Sequence, residues 1–239
     1  MNTKEKKTAI AACLLISFIT VVFGVMSGRA DGRAHITFCN VGQGDAIYIR
    51  MPDGRDALID GGPGNKILPC LGRRMAFWDR TIDLVVLTHP HEDHFKGLID
   101  VMKRYKIKNI VVPPVGNSGS DSYSSFARIV EEEGTTVKNL YQGEKIEFAF
   151  EKDESSTALK VVFMSLWPTE EWAADTVPVL LGRDVLAMKT SYDDLNDFSQ
   201  VLQMTFGNFD VLFTGDAELS ILDQIKAKGL LAQNLVTAI

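Results

Sequence analysis

Three of the four histidines in this chain lie within six residues, in the segment His89-Pro90-His91-Glu92-Asp93-His94. Imidazole and carboxylate groups are preferred ligands of borderline and hard divalent metals. In an extended stretch His89 and His91 point the same way, because side chains repeat every two residues. Asp93 and His94 open a predicted helix and can reach a second ion. This histidine segment (residues 89–94) therefore predicts two ions about 3.5–4 Å apart, as in two-metal hydrolases.

The alternative for the histidine segment is a solvated turn in which Asp93 caps a helix. Four histidines in 239 residues would be spread far more widely by chance than three in six. The cluster also falls where a buried strand meets a helix, which favours the metal site over the turn.

Two further carboxylates follow predicted strands. Asp60 precedes Gly61-Gly62, and Asp216 follows Thr214-Gly215. Ligand sites of α/β sheets collect at the carboxyl ends of strands. Asp216 could bridge two ions, and Asp60 could orient a ligand histidine through its second ring nitrogen. An ordinary turn aspartate is the alternative for each.

The elements that position these residues alternate between strand and helix. Residues 84–88 form an apolar run typical of a strand buried on both faces, and apolar residues recur at helical spacing after the histidine segment. This alternation predicts an α/β layered domain. We predict further strands at 35–40, 46–51, 57–60, 110–112, 137–141, 145–150, 159–166, 200–206 and 211–214, helices at 122–133 and 217–227, and a surface loop at 165–189.

Composition excludes several classes of protein. Apolar residues make up 46% of the chain, which is too much for general disorder. The net charge of −6 argues against a protein that holds nucleic acid by charge alone. It leaves open an enzyme that meets nucleic acid only at a metal centre.

The pattern of the amino-terminal residues indicates a segment separate from the globular domain. Residues 8–28 carry no charge, and Lys4, Lys6 and Lys7 precede them. This pattern is typical of a signal peptide or membrane anchor, and the length suffices to cross a bilayer. We therefore predict a signal or anchor over 1–33 and a hydrolase domain over 34–239, located outside the cytoplasm on the cell membrane or secreted. A buried core helix is the alternative.

Two cysteines of the predicted hydrolase domain, Cys39 and Cys70, would then lie in an oxidising compartment. They could pair, but nothing in the sequence requires it. Cys39 lies in an apolar, strand-like run, so the expectation is a small buried thiol.

The histidine segment is the His-x-His-x-Asp-His signature, and the chain resembles the metallo-β-lactamase superfamily. More narrowly, it is similar to the metallo-hydrolase domain of ComEC-type competence proteins, which take up DNA. The stretches that carry this narrower resemblance are Phe38-Cys39-Asn40-Val41-Gly42-Gln43-Gly44-Asp45-Ala46, Leu58-Ile59-Asp60-Gly61-Gly62 and Phe213-Thr214-Gly215-Asp216-Ala217.

The resemblance implies a four-layer αββα sandwich that holds two divalent ions, zinc or manganese. His89, His91 and Asp216 would bind one ion. Asp93, His94 and Asp216 would bind the other, with Asp93 also acting catalytically by orienting the attacking hydroxide. The implied substrate is a phosphodiester such as DNA, and the predicted enzyme is an extracytoplasmic metal-dependent hydrolase.

The sequence departs from the family pattern. Asn40 stands where the family usually has Asp, and Asn196-Asp197-Phe198-Ser199 replaces an Asn-rich stretch that ends in Ser. The family also has a His pair after the strand predicted near Asn234, whereas no His follows His94 here. A carboxy-terminally incomplete domain, a substituting carboxylate and an inactive metal-binding remnant tethered to the membrane are the three interpretations. A hydrolase of a small ester or lactam is a further alternative.

Overall fold

A computed structural model describes residues 2–27, 30–117, 119–150, 159–177, 184, 186, 194–231 and 235–238. Its first sheet has six strands in sequential order. The three leading strands pair antiparallel, and the pairs from the third strand onward are parallel. The strands are β1 (His35–Phe38), β2 (Ile47–Arg50), β3 (Asp56–Ile59), β4 (Thr81–Val86), β5 (Lys106–Val111) and β6 (Thr136–Lys138).

The second sheet has five strands, β7 (Lys145–Phe150), β8 (Leu159–Trp167), β9 (Val201–Phe206), β10 (Phe209–Phe213) and β11 (Leu235–Ala238). Their spatial order is β11-β10-β9-β8-β7. The predicted hairpin around Gly207 is confirmed, because β9 and β10 pair antiparallel there. β11 pairs parallel with β10, in the segment where the sequence predicts a strand.

Six α-helices are present in the described part of the chain: α1 (Thr3–Ser27), α2 (Ile67–Arg74), α3 (Glu92–Met102), α4 (Asp121–Glu132), α5 (Glu170–Thr176) and α6 (Leu219–Ala227). α5 corrects the loop predicted over 165–189. It begins where the Thr169 side chain accepts a hydrogen bond from the Trp172 amide, which caps the helix. Most of the remainder of that loop prediction lies outside the described residues.

Three apolar clusters separate four layers. One lies between the first sheet and the helices α2, α3 and α4, with Leu58, Val85 and Phe95 among its members. The second lies between the two sheets, where Ile59 and Val86 share a cluster with Phe163. The third joins the second sheet to α6. The order is helices, sheet, sheet, helix, and the predicted mixed α/β class is confirmed.

Glycines press the start of α3 against the end of β3. The Gly61 amide donates to the His94 carbonyl at 2.7 Å, and the Gly97 amide donates to the Gly62 carbonyl at 2.8 Å. A Cβ atom on Gly97 would lie 1.9 Å from the Gly61 oxygen, so no side chain fits at that position. This contact brings the first turn of α3, which carries His94, next to Asp60.

The amino-terminal segment forms α1, whose apolar side chains Ile10, Leu14 and Phe18 are exposed. Within the residues that the structure describes, no helix combines the length and hydropathy needed to cross a bilayer. The predicted membrane span is therefore not supported.

Cys39 and Cys70 form a disulfide, with their Cα atoms 5.9 Å apart. The expectation of a buried free thiol at Cys39 is therefore wrong. Sequence could not show the pair, because 31 residues separate the two cysteines and only the docking of α2 brings Cys70 beside the end of β1. Cys13 is exposed and remains a free thiol.

We expect reduction of the Cys39–Cys70 disulfide to lower the free energy of unfolding by about 3–4 kcal/mol. The reason is that reduction opens the loop that the disulfide closes in the unfolded chain, between cysteines 31 residues apart. Urea unfolding of metal-free protein with and without a phosphine reductant measures the difference. Cys13→Ser is the matched control and should leave stability unchanged. Equal unfolding midpoints for reduced and oxidised protein would contradict the prediction.

Candidate metal centre

The structure brings together three side chains from three separate elements. His89 follows β4, His94 lies in the first turn of α3, and Asp216 follows β10. Their ligand atoms lie within 4.8 Å of one another. The Asp216 Oδ2 atom is 3.7 Å from His89 Nε2 and 3.5 Å from His94 Nε2. The sequence predicted all three as metal ligands.

Both Nε2 atoms are suited to bind a cation. Each is buried and has no hydrogen-bond partner among the described residues. A buried polar atom without a partner is costly unless something satisfies it. Two imidazole nitrogens facing one carboxylate are a donor set that suits zinc or manganese. The residues present therefore fit a divalent ion.

Asp60 forms a hydrogen bond with His94, the contact that its predicted orienting role requires. It is fully buried and accepts hydrogen bonds from the Thr88 amide at 2.8 Å, the Thr88 hydroxyl at 2.7 Å and His94 Nδ1 at 2.8 Å. Its φ of 55° is left-handed, which is unusual outside glycine and often marks a functional site. Both carboxylate oxygens are occupied by these bonds.

Thr88 fixes the second ring, a role that the sequence analysis missed. Its single hydroxyl proton goes to Asp60, so its oxygen is left to accept from His89 Nδ1, 3.1 Å away. The Nδ1 atoms of His89 and His94 are then the protonated ones, which leaves each Nε2 lone pair facing Asp216 when the rings are neutral. The available signal was a threonine between an apolar strand and the first histidine.

Without metal, the pKa values of the two histidine rings are shifted in opposite directions. Burial lowers the pKa of His89 to about 3, and the nearby His94 charge adds to this effect. Burial would also lower the pKa of His94, but the Asp60 and Asp216 carboxylates outweigh it and raise that pKa to about 11. Contact with the His94 ring, whose Nε2 atom lies 3.5 Å from Asp216 Oδ2, holds the pKa of Asp216 below its ordinary value. In the metal-free protein at neutral pH, the His94 ring is therefore positively charged, with a proton on each nitrogen, whereas the His89 ring is neutral.

A metal ion must displace the His94 proton, because only neutral imidazole is a ligand. We expect binding to release about one proton per chain at pH 7, and apparent affinity to rise about tenfold per pH unit from pH 6 to 8. Calorimetric titration in buffers of different ionisation enthalpy counts the protons. A binding heat that does not depend on the buffer would contradict the prediction.

The structure leaves two predicted ligands outside this group. The His91 ring packs edge-on against His89, with ring centroids 4.7 Å apart, and Asp93 lies in the first turn of α3. Neither joins the three atoms that converge. Their assignments, including the catalytic role of Asp93, remain predictions.

Asp45 is a residue of this site that the sequence analysis missed. Its carboxylate groups with Asp60 and His94, with ligand atoms within 4.8 Å of one another. Burial raises the pKa of Asp45 above its ordinary value, and the Asp60 charge adds to the rise. The available signal was an aspartate beside glycines near a strand end, the same pattern that drew attention to Asp60.

Comparison with known proteins gives the family. The profile of the metallo-beta-lactamase superfamily matches residues 39–228. ComE operon protein 3 of Bacillus subtilis (strain 168) is 22% identical over an alignment of 155 residues, and the alignment covers 56% of this chain and 19% of that protein. The matched region thus spans about a fifth of that relative's length.

The solved structures that match include a Cronobacter sakazakii metallo-beta-lactamase with a HARLDQ motif, at 8% identity and a TM-score of 0.45, covering 91% of this chain and 76% of that one. A diphosphatase from the PhnP family matches at 14% identity and a TM-score of 0.39, covering 86% and 95%. The profile match extends over most of the chain and includes the histidine segment, Asp60 and Asp216. The chain therefore belongs to the metallo-beta-lactamase superfamily.

Proposed function

We propose that this chain is a metal-dependent hydrolase that cleaves phosphodiesters, with DNA or another nucleic acid as the substrate class. The observation that carries the proposal is the pair of buried Nε2 atoms, on His89 and His94, that face Asp216 without hydrogen-bond partners among the described residues. Family membership supports the hydrolytic class. The resemblance to the metallo-hydrolase domain of ComEC-type competence proteins supports a phosphodiester substrate.

The chain's own residues prepare this chemistry. Asp60 and Thr88 hold both rings with their Nε2 atoms toward Asp216, whose side chain is 44% exposed and opens the site to solvent. A bound divalent ion would lower the pKa of water from 15.7 towards about 7 and polarise a phosphoryl oxygen. Asp93 is proposed to orient the attacking water.

We further propose two ions, zinc or manganese, with His91 and Asp93 completing the set that the histidine segment supplies. A phosphodiester suits paired ions, because its attacking and leaving oxygens both need charge stabilisation. The net charge of −6 does not attract a polyanion, so we propose that the ions supply the contact to the DNA backbone.

The test is a substrate panel with metal-stripped protein, before and after adding Mn²⁺ or Zn²⁺. We expect cleavage of single-stranded DNA and of bis(p-nitrophenyl) phosphate that appears with metal and disappears with EDTA. A chromogenic β-lactam and a p-nitrophenyl ester serve as competing substrates. Cleavage of these alone would overturn the phosphodiester proposal, and tight metal binding with no hydrolysis would support the inactive-remnant alternative.

A location outside the cytoplasm is part of the proposal. Its support is the Cys39–Cys70 disulfide, since such bonds persist mainly in oxidising compartments. Alkylation of the protein in intact cells, followed by mass measurement, should leave Cys39 and Cys70 unmodified. Alkylation of both cysteines would contradict this location.

A further inference from the structure

We propose that Asp45 is an additional anionic ligand of this metal centre, delivered by the loop over residues 41–45. The inference rests on the proposed metal binding and extends it, because it adds a residue that lies 44 positions before the histidine segment. It assigns a chemical role to the glycine-rich turn after β1.

The grouping of side chains singles out Asp45. Asp45, Asp60 and His94 have ligand atoms within 4.8 Å of one another, and His94 is shared with the group that includes Asp216. Asp60 has both oxygens engaged by Thr88 and His94. The Asp45 carboxylate has no hydrogen-bond partner in the described part of the chain, so it is the oxygen donor of this group that is free to bind an ion.

A second, independent observation points to a ligand at this place. His94 is 1% exposed, and its Nε2 atom has no hydrogen-bond partner among the described residues. His94 therefore offers an unpaired imidazole nitrogen and belongs to the same group as the Asp45 carboxylate, and a divalent cation binds nitrogen and oxygen donors of this kind.

The loop is held in place rather than free to swing. The Cys39 amide donates to the Ala46 carbonyl at 2.9 Å, which closes the loop at its base, and the disulfide ties Cys39 to α2. At the tip of the loop, Gly44 has a φ of 71°, and a Cβ atom there would lie 1.9 Å from the backbone carbonyl oxygen of Asp93. The turn therefore packs directly on the first turn of α3 and presents Asp45 to the site at a fixed position.

Charge around the site favours a cation. The carboxylates of Asp60, Asp93 and Asp216 all act electrostatically on Asp45, and His94 supplies the opposing positive charge. Like charges held together repel unless a cation is bound between them. Removing the Asp45 charge should therefore ease repulsion in the metal-free protein and weaken the metal-bound state.

The test compares Asp45→Asn with wild type by calorimetric titration of metal-stripped protein with Mn²⁺ and Zn²⁺, and by thermal melting with and without metal. We expect affinity to fall at least about tenfold. We also expect the metal-free melting temperature to rise and the metal-induced increase to shrink. Asp100→Asn, which removes a carboxylate paired with Lys103 on α3, is the matched control and should match wild type.

Unchanged affinity in Asp45→Asn, alongside tight binding by wild type, would overturn the role of Asp45 and leave the proposed function standing. Failure of wild type to bind either metal would overturn both. If Asp45→Asn does not fold, Asp45→Glu keeps the charge but moves the oxygens about one bond further out. We then expect Asp45→Glu to bind metal more weakly than wild type, while the metal-free variant is as stable as metal-free wild type. An affinity of Asp45→Glu equal to that of wild type would overturn the inference.

Discussion

Asp216→Ala should abolish metal-dependent hydrolysis, with a loss of about a thousandfold or more, while the protein stays folded. Asp216 is the carboxylate that faces both His89 Nε2 and His94 Nε2, so its removal takes away the only oxygen donor of that converging group. Loss of one member of a unit that acts together costs most of the rate.

Stability should change little, because the Asp216 side chain is 44% exposed and lies outside the apolar clusters. Initial rates on bis(p-nitrophenyl) phosphate at saturating Mn²⁺, together with thermal melting, measure both effects. Asp100→Ala is the control and should keep the wild-type rate. A folded Asp216→Ala protein with more than about a tenth of the wild-type rate would contradict the role given to Asp216.

Asp60→Asn should weaken metal binding by about 10- to 100-fold, although Asp60 is not itself a proposed metal ligand. Asparagine tolerates the left-handed backbone at this position and can still accept from the Thr88 amide. Its amide nitrogen would then face the Thr88 hydroxyl and His94 Nδ1 as a donor. His94 would have to place its proton on Nε2, the atom that faces Asp216, which is the wrong tautomer for binding a metal.

The same substitution removes the carboxylate that does most to raise the pKa of His94. The number of protons released on metal binding should therefore change along with the affinity, which a loss of packing alone would not produce. Calorimetry in paired buffers reads both quantities. The control is Asp83→Asn, a buried carboxylate that bonds the Asp56 amide far from the site. Equal affinity and proton release in Asp60→Asn and wild type would contradict the orienting role.

Much of this site could be predicted from sequence because its residues are local or stand at strand ends. His89 and His94 are separated by one strand-to-helix junction, and Asp60 and Asp216 each follow an apolar strand. Periodicity and residue type suffice for such features. The four-layer arrangement was implied by the resemblance, and the structure shows the apolar clusters that separate the layers.

The features that sequence missed depend on contacts between distant segments. Cys70 meets Cys39 only once α2 has docked, and Asp45 reaches His94 only because Gly44 packs on Asp93. The role of Thr88 depends on which atom donates the proton in each of two hydrogen bonds, and these bonds form only when Asp60 and His89 meet in the folded chain. α5 was missed because the stretch around it has no clear period, and its cap at Thr169 was overlooked.

The proposed chemistry requires that His89, His94 and Asp216 together hold a divalent cation. Anomalous diffraction from crystals grown with Zn²⁺ or Mn²⁺ tests it most directly. We predict an anomalous peak bonded to both Nε2 atoms and to an Asp216 oxygen, with Zn–N distances of about 2.0–2.1 Å for zinc. A well-ordered site that shows no peak among these three side chains at saturating metal would contradict the account.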